Sequence, residues 1–120
     1  MGIVSAVMHD TTDLDGTVAF WKEVLGLEEL FRNERYVYLG NLGESGPHLA
    51  FQKVPEARSV KNRIHLDVRT ADRMVAVARI IALGGTHLRD VTEDDFPTWS
   101  VMTDPEGNEF CVYERQSAED

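Results

Sequence analysis

Ile64-His65-Leu66-Asp67-Val68, followed at Asp72 by an apolar-striped segment closing on Leu83-Gly84, repeats the plan of Ser5–Leu27. The earlier copy has Asp13 in the place of Asp72 and Leu25-Gly26 in the place of Leu83-Gly84. An offset of 59 residues carries Asp13 onto Asp72, and also Phe51-Gln52 onto Phe110-Cys111. Two copies on one spacing predict two packed modules with a cleft between matching strands. Chemistry is then expected at equivalent positions, Ala6 with His65 and Gln52 with Cys111.

The alternation in 64–68 predicts a strand with Ile64, Leu66 and Val68 on one face and His65 and Asp67 on the other. Asp72 has the side chain of an N-cap, and Met74, Val77, Ala78 and Ile81 mark the expected buried side of a helix. Thr86–Val91, Thr98–Thr103 and Glu109–Glu114 read as strands, the last two joined by the turn Asp104-Pro105-Glu106-Gly107-Asn108. The first copy has a strand over Ile3–Met8 and Asp13 as cap. Its helix is striped by Leu14, Val18, Trp21 and Leu25, widened by Phe20 and Val24, and stopped by Gly26. Strands over Glu28–Arg32, Arg35–Leu39 and His48–Val54 follow. The order βαβββ-βαβββ predicts an α+β fold. Module one covers about 1–54, a linker about 55–62, module two about 63–114 and a polar tail 115–120, all as one domain. Each helix is expected to cover one sheet face and leave the other to a concave cavity.

The chain has 120 residues, 42% of them hydrophobic and 28% charged, which suits one globular domain with a modest core that gains stability as a homodimer. The net charge of −9 opposes nucleic-acid binding and leaves either solubility or attraction of a cationic ligand as its use. Lys53, Arg58, Lys61 and Arg63 form a local basic exception, read as a solvated linker. No apolar run is long enough for a membrane span. Met1-Gly2-Ile3-Val4 lacks the basic start of a signal peptide, and one cysteine allows no internal disulfide, so the expected location is cytoplasmic. A Gly-rich phosphate loop and a Gly-x-Ser-x-Gly elbow are both lacking, which excludes nucleotide hydrolysis by a P-loop and serine-hydrolase chemistry.

Four segments, Phe20-Trp21 with Val24-Leu25-Gly26-Leu27, Lys61-Asn62-Arg63-Ile64-His65-Leu66-Asp67, Leu83-Gly84-Gly85 and Asp104-Pro105-Glu106-Gly107-Asn108-Glu109-Phe110, run through the chain in order. With them the sequence resembles the vicinal oxygen chelate superfamily of glyoxalases, bleomycin-resistance proteins and extradiol dioxygenases, in a glyoxalase-like subgroup. The resemblance implies two βαβββ modules forming a curved, half-open mixed sheet around a small-molecule cavity. It also implies a divalent metal held by the first and last strand of each module. Carried over, those positions are Ala6, Gln52, His65 and Cys111. Ala6 has no donor atom, so the ligand set is incomplete, with His65 as the metal candidate and Gln52 beside it.

His65 and Asp67 are the catalytic candidates, His65 touching ligand and Asp67 acting as a base or orienting His65. Asp67 has an alternative use as an interior carboxylate pairing with Arg69 or Arg63. Gln52, Trp99, His65 and Cys111 are the ligand-binding candidates. Cys111 reads equally as a small buried apolar residue, and Trp99 as core or as cavity wall. His9, His48 and His87 are expected at the surface. The expected function is a glyoxalase-like small-molecule-binding protein, a lyase or isomerase acting on a small oxygenated metabolite with a reduced or absent metal site. The alternative is a metal-free protein that sequesters an antibiotic, as bleomycin-resistance proteins do.

Overall fold

The computed structural model describes residues 1–55 and 64–114. The expected linker beyond residue 55, the basic residues Arg58, Lys61 and Arg63, and the polar tail lie outside the described residues. Two compact units make up the chain, one of residues 6–64 and the other of residues 1–5 with 65–120.

In the first unit, β1 (Gly2–Thr11), α1 (Leu14–Leu25), β2 (Glu29–Arg32), β3 (Tyr36–Asn41) and β4 (His48–Lys53) follow in order. The strands lie side by side as β2-β3-β4-β1, with β1 and β4 parallel and the other pairs antiparallel. The Asp13 side chain accepts a hydrogen bond from the Gly16 amide at 3.0 Å, satisfying one of the free donors of the first turn. Gly26 ends α1 in the left-handed conformation at φ 65°, which costs a residue without Cβ little. Leu14, Val18 and Trp21 lie against Val7, Val37, Leu39, Leu49 and Phe51 of the sheet. Phe20 and Val24 stand roughly 100° off that stripe and remain 58% and 55% exposed. Leu25 is in phase but sits at the helix end, where it too stays exposed.

The second unit repeats the plan with β5 (Ile64–Thr70), α2 (Arg73–Ala82), β6 (Thr86–Val91), β7 (Trp99–Thr103) and β8 (Glu109–Glu114). Its strand order is β5-β8-β7-β6, with β5 and β8 parallel. Asp72 caps α2 by accepting from the Val75 amide at 3.1 Å. Asp104 organises the last turn, its Oδ1 accepting from the amides of Glu106 and Asn108 while Gly107 takes φ 88°. The first residues of β1 pack here: a Cβ on Gly2 would meet the Val68 side chain (Cγ1) at 2.6 Å and the Arg69 carbonyl oxygen at 3.0 Å, so a larger residue would have to push these neighbours aside.

The buried face of α2 differs from the expected one. Ala76, Val77 and Ile80 pack on Met102, Phe110, Val112 and Val68, while Met74 and Ile81 are 62% and 50% exposed. The face is turned toward Arg73, whose guanidinium donates to the fully buried Ser100 Oγ at 2.8 Å. Ser100 in turn donates to Asp90 at 2.7 Å, and His87 donates to the same carboxylate oxygen at 2.8 Å. This network ties the start of α2 to β6 and β7, and rotating Met74 inward would break it. The Ser100 and His87 bonds and the nearby Arg73 charge hold Asp90 below the usual carboxylate range.

Both units therefore place one helix on a mixed sheet, and two helices with eight strands give the expected α+β class.

Candidate functional site

Strand alternation leaves each sheet with a face turned away from its helix. In the first unit Phe51 is buried against α1 and Gln52 is on the other face, as expected. That face carries Ala6, Met8, Tyr36 and Ala50, all buried, and by register also Asp10, Tyr38 and His48. Gln52 is half-buried, and its Nε2 donates a long hydrogen bond of 3.4 Å to Tyr36 Oη. His9 and His48 are half-buried rather than at the surface, and each ring contacts a backbone carbonyl, of Asp10 and of Leu39.

The chemistry is concentrated in the second unit. Val68 and Val112 pack toward α2, so His65, Asp67 and Arg69 of β5 and Cys111 and Tyr113 of β8 share the opposite face. His65 Nε2 lies 3.2 Å from Asp67 Oδ1, with side chains only 20% and 14% exposed. One donor atom each of His65, Asp67 and Cys111 falls within 4.8 Å of the others. Among the described residues Asp67 lies against His65 rather than Arg69, and Arg63, the other expected partner, is outside them.

Pairing extends this face across the sheet. Asp67 is opposite Cys111, Cys111 opposite Val101 and Val101 opposite Arg89. In the next row Arg69 is opposite Tyr113, Tyr113 opposite Trp99 and Trp99 opposite Val91. Trp99 is half-buried and packs edge-on against Phe96, with ring centres 6.3 Å apart. Tyr113 donates to Ser5 Oγ at 3.0 Å, and Ser5 Oγ donates to the Asp67 carbonyl at 3.4 Å, which steadies the backbone carrying Asp67.

Burial works against a charged His65, but hydrogen bonds to Asp67 and Cys111 outweigh it and raise the ring to about 10. Burial pushes the Cys111 thiol up, against the pull of His65 and Arg89 toward the thiolate. The two shifts favour a protonated ring and a protonated thiol side by side. The imidazolium is a fixed charged donor, suited to an oxygen acceptor; a protonated thiol is a poor nucleophile.

The constant offset of 59 does not survive in the later strands. It holds for β1 and β5, but β1 pairs Asp10 with Gln52 whereas β5 pairs Arg69 with Tyr113. Gln52 therefore corresponds to Tyr113, and Cys111 to Ala50, an offset of 61. In β3 and β7 it reaches 63, because Tyr36 pairs with Gln52 and Trp99 with Tyr113. The proposed equivalence of Gln52 and Cys111 is thus corrected. Tyr113 and Arg89 were missed, the first hidden by the drift and the second by the irregularity between His87 and Arg89.

A model of the glyoxalase-like domain matches residues 6–113. The chain belongs to the glyoxalase-like domain family. Solved structures agree on the fold. A hypothetical protein from Bacillus halodurans C-125 superposes with a TM-score of 0.78 at 10% identity, covering 99% of this chain and 98% of its own. A glyoxalase/bleomycin resistance protein/dioxygenase superfamily member from Vibrio splendidus 12B01 gives 0.66 at 16% identity, covering 96% and 100%. A methylmalonyl-CoA epimerase in complex with methylmalonyl-CoA and NH4+ gives 0.70 at 18% identity, covering 98% and 96%. No curated protein matches the chain.

The metal that the superfamily resemblance implies does not fit these residues. Ala6 offers no donor, and Cys111 occupies the counterpart of an alanine rather than of Gln52. The three donors that do converge have the ligand types of a zinc site. An ion there would have to displace protons from both His65 and Cys111 and break the His65–Asp67 contact.

Proposed function

We propose that this chain binds a small oxygenated metabolite on the helix-free face of its second unit, where His65 donates a charged hydrogen bond to a substrate oxygen. The convergence of His65, Asp67 and Cys111 carries this reading. Withdrawing an ion pair from water costs more than its attraction returns unless the geometry is good, and such clusters concentrate at functional sites. Asp67 positions the ring, and Trp99 offers a flat apolar wall with one N–H. An imidazolium beside a carbonyl oxygen stabilises the enolate formed when the Asp67 carboxylate accepts the proton of the neighbouring C–H, which is the chemistry of lyases and isomerases. The family membership, and the small-molecule ligand of the epimerase that shares the fold, support the same use of the scaffold.

A thermal-shift screen of small hydroxy- and oxo-acids, with and without divalent ions, tests the proposal. A ligand at a hundredfold excess over its Kd should raise the melting temperature by roughly 8–16 °C. The shift should persist in chelator and be lost in both His65→Gln and Trp99→Ala, each compared with its own unliganded melt. Ligands whose shifts are unchanged in both variants would place binding elsewhere and overturn the reading.

A further inference from the structure

A cationic ligand is one of the two uses the acidic net charge leaves open, yet the site face points the other way. His65 already occupies Asp67. Two further cations, Arg69 and Arg89, share that face by strand register, and neither makes an ion pair or hydrogen bond among the described residues. Arg69 is half-buried on β5, whereas Arg89 is exposed on β6, at the other end of the strand order. Arg89 stands in the same row as Cys111, two strands away across Val101, and its charge pulls the Cys111 thiol toward the thiolate. Arg89 lies in the row of Val101, Cys111 and Asp67, and Arg69 lies one row on, opposite Tyr113, so the two flank the patch of Val101, Cys111, Tyr113 and Trp99.

The other carboxylates near this face are peripheral. Glu109 is exposed at the start of β8, opposite Thr103, and Glu93, Asp94 and Asp95 belong to the loop between β6 and β7. A long basic side chain left without a carboxylate partner beside a buried polar cluster is placed for a ligand's charge, and a guanidinium fork matches the paired oxygens of an oxyanion.

Resting on the binding face proposed above, we infer that Arg89, together with Arg69, recognises the carboxylate or phosphate of an anionic metabolite whose apolar body lies against Val101 and Trp99. The anion sits above Cys111, between the guanidiniums and the His65 ring. The net charge of −9 repels anions at a distance, and the cations of this face offset it locally.

Four probes of one shape separate the outcomes: benzoate, phenyl phosphate, neutral benzyl alcohol and cationic benzylamine. Each is titrated into labelled protein while the Trp99 indole and His65 ring signals are followed. Benzoate and phenyl phosphate should bind at least roughly tenfold more tightly than benzyl alcohol, the scale of one charge-assisted hydrogen bond. The tighter of the two anions identifies carboxylate or phosphate as the group the site prefers. Arg89→Gln should remove most of the better anion's advantage over benzyl alcohol, Arg69 and His65 keeping the rest, Arg89→Lys should retain more of it, and added salt should weaken only the anions. Benzylamine binding as tightly as benzoate, or benzoate binding unchanged in Arg89→Gln, overturns the inference. If benzyl alcohol perturbs Trp99 and His65 while the anions gain nothing, the face still binds ligand and only its anionic preference falls. If no probe perturbs either signal, the binding face falls with it.

Discussion

Replacing Asp67 by Asn is expected to remove about 3 kcal/mol of stability at pH 7 and to flatten the alkaline side of the stability profile. Asp67 is the ionic partner of His65, and both side chains are largely withdrawn from water. The sign follows from the direction of the shift. His65 is raised from 6.5 to about 10, so folding favours its protonated form. The stabilisation is fully present below pH 6.5, declines as pH rises, and is gone above pH 10. A raised pKa of this size corresponds to several kcal/mol in the acidic limit, a large part of the roughly 5–15 kcal/mol that holds a small domain together. Urea unfolding of wild type and variant from pH 6 to pH 10 should show two curves that converge at the alkaline end. Parallel curves, or a loss below about 0.5 kcal/mol at pH 7, the level of an ordinary surface change, would mean that Asp67 does not hold a charged ring.

Phe51→Ala should have an effect as large without touching the site face. Phe51 is the largest fully buried side chain and fills the core of the first unit beside Val18, Val37 and Leu39. Removing its ring loses transfer free energy and leaves a cavity, together about 3–5 kcal/mol. Phe20, also apolar and also within a regular element, is 58% exposed. Phe20→Ala should stay within about 0.5 kcal/mol. The two denaturation midpoints, measured side by side, decide the matter: similar losses would mean that α1 presents a different face to its sheet than the one described.

That contrast also shows what could be read from residues alone. Asp13 and Asp72 announced both helix starts, because a short acidic side chain can accept the free amides of the first turn. The alternation in 64–68 placed His65 and Asp67 together, and they are in contact. Periodicity did not reveal which apolar residues of a helix find a sheet to cover them. Phe20, Met74 and Ile81 look like core and stand exposed, because the sheet reaches only one side of each helix. The repeat was readable at the first strand and helix of each module, and the drift from 59 to 63 in later strands was not, since loop lengths and bulges differ between the copies. Each slip was by two residues, so every side chain kept its face although its partner changed. For this reason the face of Cys111 was read correctly and its counterpart was not.

The direct test of a charged ring at the centre of the site is a pH titration of the His65 ring by NMR, with the signal assigned through His65→Gln. The ring should stay protonated through pH 8 with a midpoint near 10, and its signal should move when a ligand binds. A midpoint near 6.5, the ordinary histidine value, with a signal indifferent to every ligand that binds the protein, would contradict a charged ring there.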